Sequence, residues 1–99
     1  MGRIIRLIPV DDICYFRADC KYTLVATADS ESLMHKPIKD LADELDPGLF
    51  WQIHRSTNVN VYSIANVLRN GSGRISVRLK RRHKSLPVSE AYAHLFRQM

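Results

Sequence analysis

The sharpest pattern in the chain is Arg74-Ile75-Ser76-Val77-Arg78-Leu79, where polar and apolar residues alternate without a break. A period of two belongs to a strand: Ile75, Val77 and Leu79 are expected to face a core, and Arg74, Ser76 and Arg78 to face outward. A second β-rich run, Ile64 to Arg69, precedes it across Asn70-Gly71-Ser72-Gly73, and the two runs predict a hairpin. Short stretches rich in β-branched and aromatic residues predict further strands at Arg3 to Ile8, Ile13 to Asp19, Tyr22 to Thr27 and Ser32 to Lys36. Pro9 to Asp12 and Ala28 to Glu31 separate them with turn chemistry. Leu49 to Ser56 predicts a strand with a polar end. Beyond it Val59, Val61 and Ile64 continue through a short irregular or one-turn segment.

Between Lys36 and Leu45 the period changes. Ile38, Leu41, Ala42 and Leu45 fall at i, i+3, i+4 and i+7, one stripe of a helix over about 37–45, with Pro37 tolerated in its first turn. Asp46-Pro47-Gly48 stops it. Near the other end, Ser89 is placed to cap a short C-terminal helix whose apolar residues are Tyr92, Ala93, Leu95 and Phe96. The class is therefore mainly β, antiparallel and hairpin-rich, with two short helices. With 99 residues and no repeat, linker or low-complexity tract, one domain spanning 1–99 is expected.

Charge adds a second pattern. From Phe50 onward there are nine Lys/Arg and one acid, Glu90, a net +8. The first 49 residues hold six Lys/Arg and nine Asp/Glu, a net −3. Such segregation suits a surface that meets a polyanion, and nucleic acid is the commonest. A solvated basic face without a partner explains the charge alone equally well. No apolar run approaches a membrane span and no charged-then-apolar leader opens the chain, so a cytoplasmic protein without membrane contact is expected.

Chemistry-bearing motifs are missing: there is no Gly-x-Ser-x-Gly, phosphate-binding glycine loop or dinucleotide turn, and an enzyme is not expected. The four histidines are scattered and no Cys-x-x-Cys occurs, so neither metal nor cofactor is expected. Cys14 and Cys20 read as reduced thiols, on one face if their strand runs unbroken. Lys80-Arg81-Arg82-His83-Lys84 is the densest positive run. It reads either as a polar turn or as a phosphate contact. Trp51 to Asn60 delivers His54, Arg55 and Ser56 to a strand end. Arg55 can fork onto guanine, Ser56 and Asn58 can bond phosphates or bases, and His54 beside Ile53 reads as structural. Asn58 and Asn60 can equally cap the backbone of the next turn. Binding of RNA or single strands would need exposed aromatics on one sheet face. Tyr15-Phe16 and Phe50-Trp51 occur as adjacent pairs, each with one member expected inward, which builds no stacking platform. A protein-interaction domain with an incidental basic face is the remaining alternative.

Three segments resemble a LytTR domain, the non-helix-turn-helix DNA-binding module of bacterial response regulators. Val10-Asp11-Asp12-Ile13-Cys14-Tyr15-Phe16 is similar to the family's opening turn and aromatic strand. His54-Arg55-Ser56-Thr57-Asn58-Val59-Asn60 is similar to its H-R-S-x-x-V-N signature, and Leu86-Pro87-Val88-Ser89 to its L-P-V-S-R segment. The helix from Lys36 to Leu45 fits the family's S-L-K-E-L element. The resemblance implies elongated antiparallel sheets packed in series, with loops entering adjacent major grooves of double-stranded DNA. It implies direct-repeat promoter sites, bending, room for a homodimer on DNA, and a role as the C-terminal output domain of a two-component transcriptional regulator. By position it makes Lys21, Tyr22, Arg55, Ser89 and Glu90 the base-reading candidates. Phosphate candidates are Lys36, Ser56, Asn58, Arg81, Arg82 and Lys84. Glu90 departs from the family, which often has a basic residue there. It either accepts from cytosine N4 or caps the last helix.

Overall fold

The computed structural model describes residues 8–96. Most of the strand predicted from Arg3, and Arg97, lie outside them. Eight strands form two antiparallel sheets in a body of 54 × 25 × 24 Å. The first sheet contains β1 (Ile13–Asp19), β2 (Tyr22–Thr27), β3 (Glu31–Met34), β4 (Phe50–His54) and β5 (Thr57–Asn60), in the spatial order β3-β2-β1-β5-β4. The second contains β6 (Ile64–Arg69), β7 (Ile75–Leu79) and β8 (Ser85–Val88), in sequence order. One α-helix, α1 (Ile38–Ala42), and 3₁₀ segments at Val10–Asp12, Val61–Ser63 and Glu90–Phe96 complete the description.

The predicted β6–β7 hairpin is present, with Ile75, Val77 and Leu79 buried and Arg74 and Arg78 exposed. Its tip is ordered by Asn70, whose Oδ1 accepts from the Ser72 N–H, the Ser72 hydroxyl and the Arg74 N–H. Gly73 adopts φ +86°, a conformation that only glycine takes without strain.

The first sheet is buried on both faces, and this corrects the expectation of one inward aromatic per pair. Tyr15 and Phe16 are both buried, as is Phe50 beside half-buried Trp51, but the partners point to opposite faces. One face carries Tyr15, Leu24, Ile53 and Val59 against Val77 and Leu86 of the second sheet and against Phe96 of the last 3₁₀ segment. The other carries Phe16, Val25 and Phe50 beneath Leu41 of α1. A register shift between Ile13 and Tyr15 sends Cys14 and Tyr15 into the same core.

Other departures are local. The α-helix lasts five residues rather than nine, because i→i+3 bonds from Glu44 to Leu41 and from Leu45 to Ala42 tighten its end. Pro47 also disfavours the α conformation at Asp46. Leu45 still packs where the stripe placed it. The C-terminal helix is 3₁₀, with Ala93 and Phe96 buried as expected. Cys14 is buried, whereas Cys20 is exposed in the β1–β2 turn, so the two free thiols share no face. Thr57–Asn60, expected to open an irregular segment, is instead a fully buried strand between β1 and β4. Asn60 is tolerated there because partners are supplied: it donates from Nδ2 to the Ile13 carbonyl and accepts the Tyr62 N–H at Oδ1.

Ile53 is completely buried at the β4 register shift and joins the core between the sheets. Ile53→Ala is expected to cost about 2–5 kcal/mol of unfolding free energy, measured by urea denaturation. A loss under about 0.5 kcal/mol would mean that this core does not hold the sheets together.

Candidate nucleic-acid interface

Two backbone hydrogen bonds align the predicted reading loops. The Ala18 N–H donates to the Ser56 carbonyl at 2.8 Å, tying the end of β1 to the β4–β5 turn. The Ser89 N–H donates to the Ile53 carbonyl at 2.8 Å, tying the segment after β8 to the same turn from the other side. Lys21 and Tyr22, Arg55 and Ser56, and Ser89 and Glu90 therefore follow one another along one rim. Cross-strand pairs extend the rim outward. Thr23 opposite Met34 brings Lys36 to one flank, and the row Val88, Ile75, Arg69 brings the β6–β7 tip to the other.

The turns are stiff. Asp19 pairs with Tyr22, so Cys20 and Lys21 alone make the β1–β2 turn, with Cys20 at φ 56° in the left-handed region that such tight turns use. Lys21 is exposed and Tyr22 is 36% exposed, its ring edge-on to His35 at 4.5 Å. In the β4–β5 turn His54 has the structural role read for it: Nδ1 lies 2.9 Å from the Ser56 hydroxyl and accepts the Ser56 N–H at 3.2 Å. Ser56 thus holds the turn with its hydroxyl, while Arg55 projects exposed from its tip. Ser89 is half-buried, its carbonyl accepting the Tyr92 N–H, and Glu90 stands exposed at the start of the last 3₁₀ segment.

The phosphate candidates divide. Lys36 reaches the rim but forms an ion pair with Glu44. Asn58 is 5% exposed within β5, facing the α1 side of the sheet with its strand neighbour Phe16, so it lies beneath the surface rather than on a loop. Arg81, Arg82 and Lys84 lie at the far rim, beyond the opposite end of β2, roughly 20 Å from the turns at six residues of strand. Arg82 is a strap between the sheets: its guanidinium donates to the Thr27 carbonyl at 2.7 Å and to Glu31 at 2.8 Å. The ammonium of Lys84 sits 5.6 Å from the Tyr15 ring centroid, a cation–π contact that covers the buried tyrosine. Arg81 and Arg82 thus lie on a different rim from the base-reading candidates, and of the two Arg82 is engaged within the protein.

Sequence reasoning passed over Arg69 and Arg74. Both are exposed, and both line a groove of about 750 Å³ together with His54, Asn70, Ser89 and Glu90. The signal was the pairing of β7 with β8, which sets Ile75 opposite Val88 and brings the hairpin tip beside Ser89. Exposed large aromatics among the described residues are Tyr22 and Tyr62, at opposite rims, so no face offers a row for stacking bases. No helix there is long and apolar enough to cross a membrane.

Known proteins resemble this chain along most of its length. Residues 3–99 match the family model of the LytTr DNA-binding domain. The chain is 40% identical over 100 residues to an uncharacterized response regulatory protein of Vibrio cholerae, an alignment covering 97% of this chain and 38% of that protein. It is 33% identical over 91 residues to the transcriptional regulatory protein YpdB of Escherichia coli, covering 92% and 37% respectively. To the positive alginate biosynthesis regulatory protein of Pseudomonas aeruginosa it is 36% identical over 76 residues, covering 77% and 30%. The chain thus spans only 30–38% of the length of these relatives. Among solved structures, the LytTr DNA-binding domain of a Bacillus cereus response regulator superposes with a TM-score of 0.81 at 24% identity, covering 92% of this chain and 83% of that one. At that identity the likeness concerns the fold.

If Arg82 is a strap, Arg82→Gln should lower unfolding free energy by about 1–3 kcal/mol and leave the salt dependence of duplex binding unchanged. Unfolding monitored by circular dichroism and a salt titration on the same sample separate the two effects; a shallower salt slope with intact stability would return Arg82 to the phosphate set.

Proposed function

Since the chain belongs to the LytTr DNA-binding domain family, we propose that the rim of three turns docks as a unit on double-stranded DNA, each turn reaching base edges or phosphates along one side of the duplex. The domain serves as the output module of a bacterial transcriptional regulator, recognising direct-repeat promoter sites and bending them, with two copies per promoter. It carries out no chemistry on the DNA.

One observation supports this reading above the rest: the paired backbone ties, Ala18 to Ser56 and Ser89 to Ile53, that hold the turns in line. Turns fixed by main-chain bonds lose little conformational freedom on binding, so more of each contact is retained as affinity. Arg55, exposed at the tip of the central turn, is assigned to a guanine, whose O6 and N7 match the guanidinium fork. Lys21, Tyr22 and Ser89 flank it as base-directed contacts. Glu90, exposed at the rim, selects for a cytosine N4 donor or excludes a phosphate from that position. Lys36 reaches phosphate only by exchanging its ion pair with Glu44, and Ser56 acts through the shape of the turn.

The test begins with a duplex selected from a random pool by the wild-type chain, compared with a scrambled duplex of equal length. Arg55→Ala is expected to weaken the selected duplex by about 1–3 kcal/mol, roughly 5- to 150-fold, and the scrambled one far less. An unchanged ratio would remove Arg55 from base reading. Failure of the wild-type chain to prefer any duplex would remove sequence-specific binding altogether. Circularly permuted probes measure the bend on the same selected site.

A further inference from the structure

We infer that the tip of the β6–β7 hairpin is a phosphate clamp, in which Arg69 and Arg74 hold the DNA backbone in the groove beside Ser89. The inference rests on the proposed duplex-binding role and adds a fourth contact element, which neither the charge pattern nor the turn chemistry had singled out.

Arg69, Ile75 and Val88 occupy one row across three neighbouring strands, so Arg69 stands two strand spacings, roughly 10 Å, from the end of β8. Arg74 immediately precedes β7 at the same level, closed against Asn70 by the bond from Asn70 N–H to the Arg74 carbonyl at 2.9 Å. By the strand alternation it leaves the hairpin on the face opposite Arg69 and Ile75, so the two guanidinium groups flank the tip. Neither arginine pairs with a carboxylate among the described residues, in contrast to Arg82 and Lys36. Both are exposed and both line the groove that His54, Ser89 and Glu90 close from the other side.

Charge and rigidity then decide the occupant. The groove is continuous with the row of turns, so a strand that meets Arg55 and Ser89 leaves that row past the two guanidinium groups. Asn70 fixes the tip through three hydrogen bonds at its Oδ1, so the arginines project from an ordered support. A forked guanidinium suits phosphate oxygens. Glu90 across the groove repels a phosphate placed against it, which biases the backbone toward the hairpin side. These contacts carry no base information and act on every sequence alike.

The clamp predicts a change in salt dependence. Each phosphate contact contributes about 0.9 to the slope of log affinity against log salt. The double variant Arg69→Gln/Arg74→Gln should therefore lower the slope by about two, equally for the selected and the scrambled duplex. Arg69→Lys/Arg74→Lys should keep most of it. Lys80→Gln, the same kind of charge loss at the opposite end of β7, should leave it at the wild-type value. A wild-type slope in the glutamine double variant, with Arg55→Ala still losing specificity, overturns the clamp and spares the duplex-binding role. A drop of about half that size in Lys80→Gln, the share of its single charge, also overturns it, because bulk charge would then explain the effect. A wild-type chain that binds no duplex overturns both. Equal melting temperatures of the variants exclude misfolding as the cause.

Discussion

The arrangement of the candidate interface depends on one strand, β5, seated between β1 and β4. Four residues long and wholly buried, it joins hairpins that are distant in sequence into one sheet. Its pairing with β4 leaves only Arg55 and Ser56 outside the ladder, and its pairing with β1 brings the Ser56 carbonyl to the Ala18 N–H. Were β5 to slip by one residue, the buried Val59 would turn toward α1 and Asn58 and Asn60 would enter the apolar core between the sheets. The hydrogen bond of Asn60 to the Ile13 carbonyl works against that slip, because it is made in one register only.

Burial on both faces of the first sheet has a functional consequence. With Phe16, Val25 and Phe50 covered by α1, and Tyr15, Ile53 and Val59 covered by the second sheet, the sheet faces are occupied and the turns at its rims remain available. The two rims differ. At one rim Lys21 and Arg55 project freely; at the other Arg82 is engaged by Glu31 and the Thr27 carbonyl. A basic run in the sequence is thus not equivalent to a basic surface. The densest one here helps to join two sheets.

Much of the fold was legible where local pattern and tertiary role agree. Ile75, Val77 and Leu79 alternate because one face of β7 is buried and the other is wet, and Asn70 to Gly73 carry the turn they flank. The limits of β1 and β2 followed from their β-branched and aromatic content. The pattern failed where both faces are buried: Thr57-Asn58-Val59-Asn60 has no alternation to read, and its polar residues resemble a loop until their partners are known. Lys21 and Arg55, which the resemblance put on loops, do lie on two-residue turns. The far-rim placement of Arg81, Arg82 and Lys84, and the near-rim placement of Arg69 and Arg74, depend on strand order, which no local pattern encodes.

In the proposed mode one rim, and not the densest run of positive charge, meets the duplex. Titrating a nitrogen-15-labelled chain with a duplex that it has itself selected, while following backbone amide shifts, tests this most directly. The account predicts that Cys20 to Tyr22, Arg55 and Ser56, and Ser89 and Glu90 shift together at one saturation point, while Ala28 to Ser30 and Lys80 to Lys84 stay in place. Largest shifts at Lys80 to Lys84, with the three turns unmoved, would contradict it.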